Sequence, residues 1–188
     1  MNLPNKLTLG RMVMIPVMIA FLMVDGIPRH YLLALLAFAL ASFTDYLDGH
    51  LARKNHLVTD FGKLMDPLAD KLLVTSALVC FVELELTNAV LVIIILAREF
   101  LVTSIRLVAA GNGKVIAADI WGKAKTVCQM ITILVILLLQ ELLSTGVLPA
   151  QFPAQLVGDV GMYLSVALTL ISGFNYVLNN REVFRDCR

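Results

Sequence analysis

Charge is scarce in this chain. Of its 188 residues only 15% are Asp, Glu, Lys or Arg, where a soluble domain usually carries about 25%, so an ordinary water-soluble domain is excluded. The three histidines, His30, His50 and His56, show no metal-ligand spacing, and Cys80, Cys128 and Cys187 form neither a CxxC pair nor an even framework. A disulfide scaffold and a zinc site are thereby set aside, and the cysteines read as packing residues. His50, although near a group of acids, is more simply a polar neighbour than a ligand. The single tryptophan, Trp121, and the scattered phenylalanines read as core or interfacial anchors. Low-complexity tracts, linkers and internal repeats are also missing, so residues 1–188 are expected to form one domain.

What the chain has in abundance is apolar sequence. Hydrophobic residues make up 59% of it and its mean hydropathy is +0.85. Long apolar runs fall near 12–24, 31–47, 64–82, 88–109, 126–143 and 160–178, lengths close to the roughly 17–25 residues that cross a bilayer core. The expected fold is therefore all-α, a polytopic membrane protein with six transmembrane helices. The stretch Asn2–Thr8, with Pro4 near its start, is expected to add a short interfacial helix. Val24-Asp25-Gly26-Ile27-Pro28 offers no small-x-small cleavage site, so the first run is read as a retained span rather than a signal peptide. Pro16 is a possible kink in span one, Pro67 belongs to the first turn of span three or bends it, and Thr145–Asp159 reads as an external loop.

The few charges are sorted by side. Lys6 and Arg11 precede span one; Arg53, Lys54 and Lys63 fall between spans two and three; Lys114, Lys123 and Lys125 between four and five; Arg181, Arg185 and Arg188 after six. The other connections carry acids, Asp25, Glu83, Glu85, Glu141 and Asp159, with Arg29 alone among the bases. Positively charged loops stay cytoplasmic, so both termini are expected there. The formal net charge of +1 conceals this asymmetry. Arg181, Arg185 and Arg188 read as topology signals and contacts for anionic lipid heads.

Against so apolar a background, four aspartates stand out. Asp45 and Asp48 are three residues apart, Asp66 and Asp70 four apart, so on helices each pair shares a face. Facing carboxylate pairs suit a hard cation such as Mg²⁺ or Mn²⁺, and a site rich in carboxylates beside Arg and Lys suits cations that bridge phosphate oxygens. Gly49, Ala52 and Gly62 leave room beside them for a ligand or a neighbouring helix. A solvated cytoplasmic loop is the plainer alternative, but Leu47, Leu51, Leu64, Met65 and Leu68 interleave with the acids and keep one face apolar. A second polar cluster joins Arg98, Glu99 and Arg106 in the fourth run to Lys123 and Lys125 beyond it. Glu99 can neutralise one base; the rest resemble an anion pocket of the Arg-plus-Lys kind that binds phosphate. Lys123 and Lys125 as mere membrane-flanking bases remain the rival explanation.

Asp45, Asp48, Gly49, Ala52, Arg53, Gly62, Asp66 and Asp70 fill every fixed position of D-x-x-D-G-x-x-A-R-x8-G-x3-D-x3-D, and on these residues the chain resembles the CDP-alcohol phosphotransferase family. Asn2-Leu3-Pro4-Asn5 with Thr8 and Arg11, Ala97-Arg98-Glu99, and Gly122-Lys123-Ala124-Lys125-Thr126 are similar to its bacterial branch that uses glycerol 3-phosphate. The likeness covers roughly the first 130 residues. It implies a homodimeric enzyme of the bacterial cytoplasmic membrane with a cytoplasmic site, taking CDP-diacylglycerol and sn-glycerol 3-phosphate to phosphatidylglycerol phosphate and CMP. By position, Asp45, Asp48, Asp66 and Asp70 would hold two Mg²⁺ or Mn²⁺ ions, with Asp70 also the candidate base; Gly49, Ala52, Arg53 and Gly62 would accommodate the CDP group. Arg98, Arg106, Lys123 and Lys125 are expected to bind the acceptor phosphate. Membrane lipids are expected partners and nucleic acid is not.

Two rivals are carried forward. A sibling transferase would use inositol phosphate or serine, and the surplus bases argue for a phosphorylated acceptor over serine. A cation transporter would also place acids in spans, but here the acids lie only at the cytoplasmic ends.

The charge asymmetry gives a test of topology. In a cysteine-free background, Lys54→Cys and Arg185→Cys are expected to stay shielded from an impermeant thiol reagent in intact cells, while Glu85→Cys labels. Labelling of positions 54 and 85 from the same side would exclude six spans.

Overall fold

The computed structural model describes residues 3–54, 60–111 and 120–179, with side chains for 8–44, 65, 68–111 and 120–179. The described residues form six α-helices and no strands: α1 Leu3–Met23, α2 His30–Lys54, α3 Asp60–Glu83, α4 Ala89–Gly111, α5 Ile120–Ser144 and α6 Ala154–Asn179. Each of the six apolar runs lies within one helix, to within a residue at its ends. The reason is the ordinary one for long apolar segments rich in Leu, Ala, Ile and Met: the helix satisfies every backbone group within the segment and leaves the side chains to pack or to face lipid.

Helix ends differ from the sequence expectation where polar residues extend a run. No separate N-terminal helix precedes α1, which runs unbroken from Leu3, with Pro4 in its first turn where a missing N–H costs nothing and Pro16 inside it. α3 begins at Asp60, so Pro67 falls beyond its first turn. α5 begins at Ile120, which moves Lys123 and Lys125 from the connection into the helix, and α6 begins at Ala154, which shortens the external loop. Two helices, α5 and α6, are long and apolar enough to cross a membrane, whereas Thr8–Met23 and His30–Thr44 are shorter apolar stretches. In α4 the uninterrupted length is broken by Arg98, Glu99 and Arg106. Large apolar side chains such as Leu40, Ile93, Ile131 and Leu164 are exposed on the flanks of four helices, a surface suited to lipid rather than to water.

Packing explains how distant segments meet. α1 lies against α2 and α3, α5 against α6 and α2, and α4 against α6 and α3. One core cluster runs through Met18, Phe38, Leu73, Phe81, Ile95, Ile133 and Met162. Thr8 and Arg11 share the buried face of α1 with Ile15, Met18 and Leu22, and Arg11 is only 1% exposed. Arg11 is therefore a buried base rather than a rim charge. Contacts at the two ends of the bundle show the alternating direction of the helices. At one end, Lys71 of α3 meets Thr103 of α4, and Arg106 of α4 meets Tyr176 of α6. At the other, the Leu32 N–H near the start of α2 donates to Glu141 Oε2 near the end of α5 at 3.1 Å, and Gln155 Nε2 of α6 donates to the Leu86 carbonyl just after α3 at 3.3 Å. Glu141, expected in an outer connection, is thus a buried residue of α5 that satisfies a free amide of α2.

The α5–α6 seam depends on close approach. A Cβ at Gly161 would stand 2.8 Å from Thr132 Cγ2 and 2.9 Å from Thr132 Oγ1, and one at Gly158 3.2 Å from Ile136 Cγ1. Thr132 is held in place because its hydroxyl donates to the Cys128 carbonyl at 2.9 Å. Gly161→Ala is therefore expected to destabilise the protein by about 1–3 kcal/mol, read as a lower midpoint of thermal denaturation in detergent. Adding Thr132→Ala should recover most of the loss, and strict additivity of the two changes would count against this packing.

Candidate active site

Asp45 and Asp48 lie in the last three turns of α2 and Asp66 and Asp70 in the first three turns of α3, with residues 55–59 between the two helices. Gly49, Ala52 and Arg53 belong to the same end of α2 and Gly62 to the same end of α3. The side chains of Asp45, Asp48, Ala52, Arg53 and Asp66 lie outside the described residues. Asp70 is described, half-buried, and lines a cavity of about 570 Å³. Among the described residues no three Asp, Glu, His or Cys side chains gather as a metal-ligand group.

The cavity lies among α3, α4, α5 and α6. All four bases expected to bind a phosphate, Arg98, Arg106, Lys123 and Lys125, line it together with Asp70, Lys71 and Glu99. Among the described residues five bases face two acids, in a partly desolvated space where charge acts more strongly than in water.

The bases are not equivalent. Lys125, 3% exposed, donates to Glu99 Oε1 at 2.6 Å, and Arg98 Nη1 donates to the same oxygen at 2.9 Å. The sequence left Lys125 without an evident carboxylate partner; the fold supplies one from α4, twenty-six residues away. Arg98 also donates to the Ser172 hydroxyl of α6. Its side chain passes between two glycines: a Cβ at Gly173 would stand 3.0 Å from Arg98 Cγ, and one at Gly122 3.8 Å from Arg98 Nη2. Arg98 thus ties α4 to α5 and α6. Arg106 is exposed; its Nε donates to the Tyr176 hydroxyl at 3.3 Å and its guanidinium lies 5.4 Å from the Tyr176 ring centroid, a cation–π distance. Lys123 is exposed. Arg106 and Lys123 are consequently the bases best placed to meet a ligand's charge at the mouth, while Arg98 and Lys125 set the interior.

Several lining residues were not singled out from the sequence. Lys71 follows Asp70 directly and reaches Thr103 on α4, whose hydroxyl in turn donates to the Glu99 carbonyl at 2.7 Å. Ser172 and Tyr176 belong to a stripe on α6, Ser165, Thr169, Ser172 and Tyr176, whose helical spacing within an apolar run was the available signal. Gln129 lies one turn beyond Lys125 on α5.

The asymmetry of the charge cluster has a measurable consequence. Glu99 serves two cations, whereas Lys125 has Glu99 as its bonded carboxylate. Glu99→Ala is expected to lower stability by about 3 kcal/mol, because it strands a buried ammonium. Lys125→Met should cost less, since Glu99 retains Arg98, and Glu99→Ala with Lys125→Met should lie above Glu99→Ala alone. Thermal denaturation in detergent checks the order; equal losses for the two single variants would count against it.

Comparison with known proteins adds to this geometry. The family profile described as CDP-alcohol phosphatidyltransferase matches residues 1–171. A Bacillus subtilis protein named CDP-diacylglycerol–glycerol-3-phosphate 3-phosphatidyltransferase is 40% identical over 195 residues, covering 98% of this chain and 97% of its own length. A Rickettsia felis protein of the same name is 36% identical, covering 97% of both chains. A Mycobacterium tuberculosis protein named probable phosphatidylglycerophosphate synthase is 38% identical over 94% of this chain and 80% of its own length.

Proposed function

Because this chain belongs to the CDP-alcohol phosphatidyltransferase family, we propose that it transfers the phosphatidyl group of CDP-diacylglycerol to sn-glycerol 3-phosphate, giving phosphatidylglycerol phosphate and CMP. The relatives similar over nearly the whole chain carry names for that reaction. The observation on the molecule itself that supports it is the cavity beside Asp70 that, among the described residues, is lined by five bases and two acids. An acceptor that brings its own phosphate needs such a surplus; serine would leave it uncompensated. Inositol phosphate would meet it equally well, so an acceptor panel decides between them.

The chemistry follows from the residues. The acceptor hydroxyl oxygen attacks the β-phosphorus of the diphosphate, the phosphorus bonded to diacylglycerol; the bond to the CMP oxygen breaks and CMP leaves with that electron pair. The hydroxyl proton passes to a carboxylate, for which Asp70 is our candidate because it lines the cavity. Arg106 and Lys123 attract the acceptor phosphate at the mouth, and Arg98 and Lys125, fixed by Glu99, hold positive charge further in.

The family's transfer depends on a divalent cation, which when bound neutralises diphosphate charge. The donor set fits one: Asp45, Asp48, Asp66 and Asp70 offer only carboxylate oxygens, from the adjoining ends of two helices in contact. We assign Mg²⁺ or Mn²⁺ to these residues, two ions in number, and the CDP group to Gly49, Ala52, Arg53 and Gly62. The one-sided bases support six spans in the bacterial cytoplasmic membrane with both termini and the site facing the cytoplasm; a homodimer rests on the family resemblance.

CMP release by purified protein tests the proposal. Release from CDP-diacylglycerol is expected with sn-glycerol 3-phosphate and not with serine, and it should stop in chelator, return with Mg²⁺ or Mn²⁺, and be lost in Asp45→Ala, Asp48→Ala and Asp66→Ala. Arg106→Ala is expected to raise KM for glycerol 3-phosphate by about tenfold, the loss of one charge-assisted contact, with KM for CDP-diacylglycerol little changed. Full turnover in excess chelator, or a preference for another acceptor, would overturn the proposal.

A further inference from the structure

The cavity is stratified. On α3 its lining passes inward from Asp70 and Lys71 to Val74 and Thr75; on α4, which runs the other way, from Arg106 through Glu99 and Arg98 to Leu96 and Ile95; on α5 from Lys123 and Lys125 to Gln129. The charged residues among the described lining, Arg98 and Lys125 included, therefore precede this last layer. The floor, one turn further in, consists of aliphatic side chains with Thr75 and Gln129.

Gln129 is the polar group most deeply placed there. It is 2% exposed and yet lines the cavity, so the surface it retains faces that space. It follows Lys125 by four residues and shares its helix face. Its amide takes part in none of the side-chain hydrogen bonds found among the described residues, although its neighbours on the same helix, Lys125, Thr126, Cys128 and Thr132, all do. An amide so deeply placed has hydrogen-bonding capacity to offer, and a ligand in the cavity that Gln129 lines is within its reach.

We propose that Gln129 is a specificity-determining residue that hydrogen-bonds the non-reacting hydroxyl of a short phosphorylated polyol. The inference rests on the acceptor reading above and refines it. In sn-glycerol 3-phosphate the phosphate and the reacting terminal hydroxyl both belong in the charged layer, the first against the bases and the second beside Asp70 and the diphosphate. A three-carbon chain held by both ends arches, and its middle hydroxyl points to the floor. An amide suits that hydroxyl because its carbonyl accepts and its NH₂ donates. A site built in this way rejects an analogue that lacks the hydroxyl, since the buried amide is then left unpaired.

The experiment compares sn-glycerol 3-phosphate with 3-hydroxypropyl phosphate, which keeps the phosphate and the terminal hydroxyl and lacks the middle one. With the full-length protein in lipid–detergent micelles and CDP-diacylglycerol as donor, CMP release gives kcat/KM for each. The wild type is expected to prefer glycerol 3-phosphate by about tenfold or more. Gln129→Met should bring glycerol 3-phosphate down to the level of the analogue, leaving the analogue and KM for CDP-diacylglycerol within about twofold of wild type. Where the Met side chain prevents assembly, judged by gel filtration, Gln129→Asn, which withdraws the amide by one methylene, should produce the same selective loss. Equal losses for both acceptors, or a wild type that does not discriminate between them, overturns the assignment of Gln129. A wild type that releases CMP with inositol phosphate or serine and not with glycerol 3-phosphate overturns instead the acceptor reading itself, a failure visible before any variant is made.

Discussion

A single carboxylate organises the charged end of this bundle. Glu99 receives Arg98 and Lys125 on one oxygen, and those two bases come from different helices, so their separation fixes where α4 stands relative to α5. Three ionised groups in an otherwise apolar setting are tolerable only in mutual contact, because each alone would carry the desolvation cost of an unpaired charge. Once they are joined, Arg98 is held at the right height to lie between Gly122 and Gly173 and to reach Ser172, and α6 is drawn into the same cluster. The cavity is what remains enclosed when these contacts are made. The positive charge that Arg98 and Lys125 contribute is therefore not a loose surface property but is set by contacts within the bundle.

The division of labour among the bases follows. Arg98 and Lys125 are largely committed to the protein, and their field, rather than free hydrogen-bonding capacity, is what an anion inside the cavity experiences. Arg106 and Lys123 are exposed and lie nearer the mouth. Arg106 is steered by Tyr176, whose ring and hydroxyl both touch the guanidinium, so it is oriented without being neutralised. An incoming anion thus meets exposed charge first and more buried charge afterwards.

Much of this was legible in the sequence because the relevant signals were local. Six apolar runs give six helices, since a long apolar stretch has few other ways to satisfy its backbone. The eight fixed positions of the aspartate motif carry the family, while the side chains of Asp45, Asp48 and Asp66 lie outside the described residues. What was not legible depends on helix-to-helix contact. The sequence offered no partner for Lys125, because Glu99 lies on another helix; Lys123 and Lys125 were placed in a loop because a polar first turn reads like one; Arg11 was counted as a rim charge because burial depends on which face α1 presents. Gln129 and the α6 stripe of Ser172 and Tyr176 escaped notice for a related reason. Polar residues in an apolar run are common, and only the packed bundle distinguishes those that face a cavity from those that close a helix seam.

The hydrogen bond between the Leu32 amide and Glu141 joins residues 109 positions apart, and it bears on the order in which the protein is made. A chain is made from its N-terminus, so α2 exists before α5. Until α5 packs against it, the first turn of α2 has an open amide that water can occupy. When α5 arrives it brings the carboxylate that displaces this water and locks the two helices end to end. The opposite ends of the same helices carry the aspartate pair on α2 and Lys123, Lys125 and Gln129 on α5. Completion of the latch at one end of the bundle thus brings the opposite ends of α2 and α5 into register.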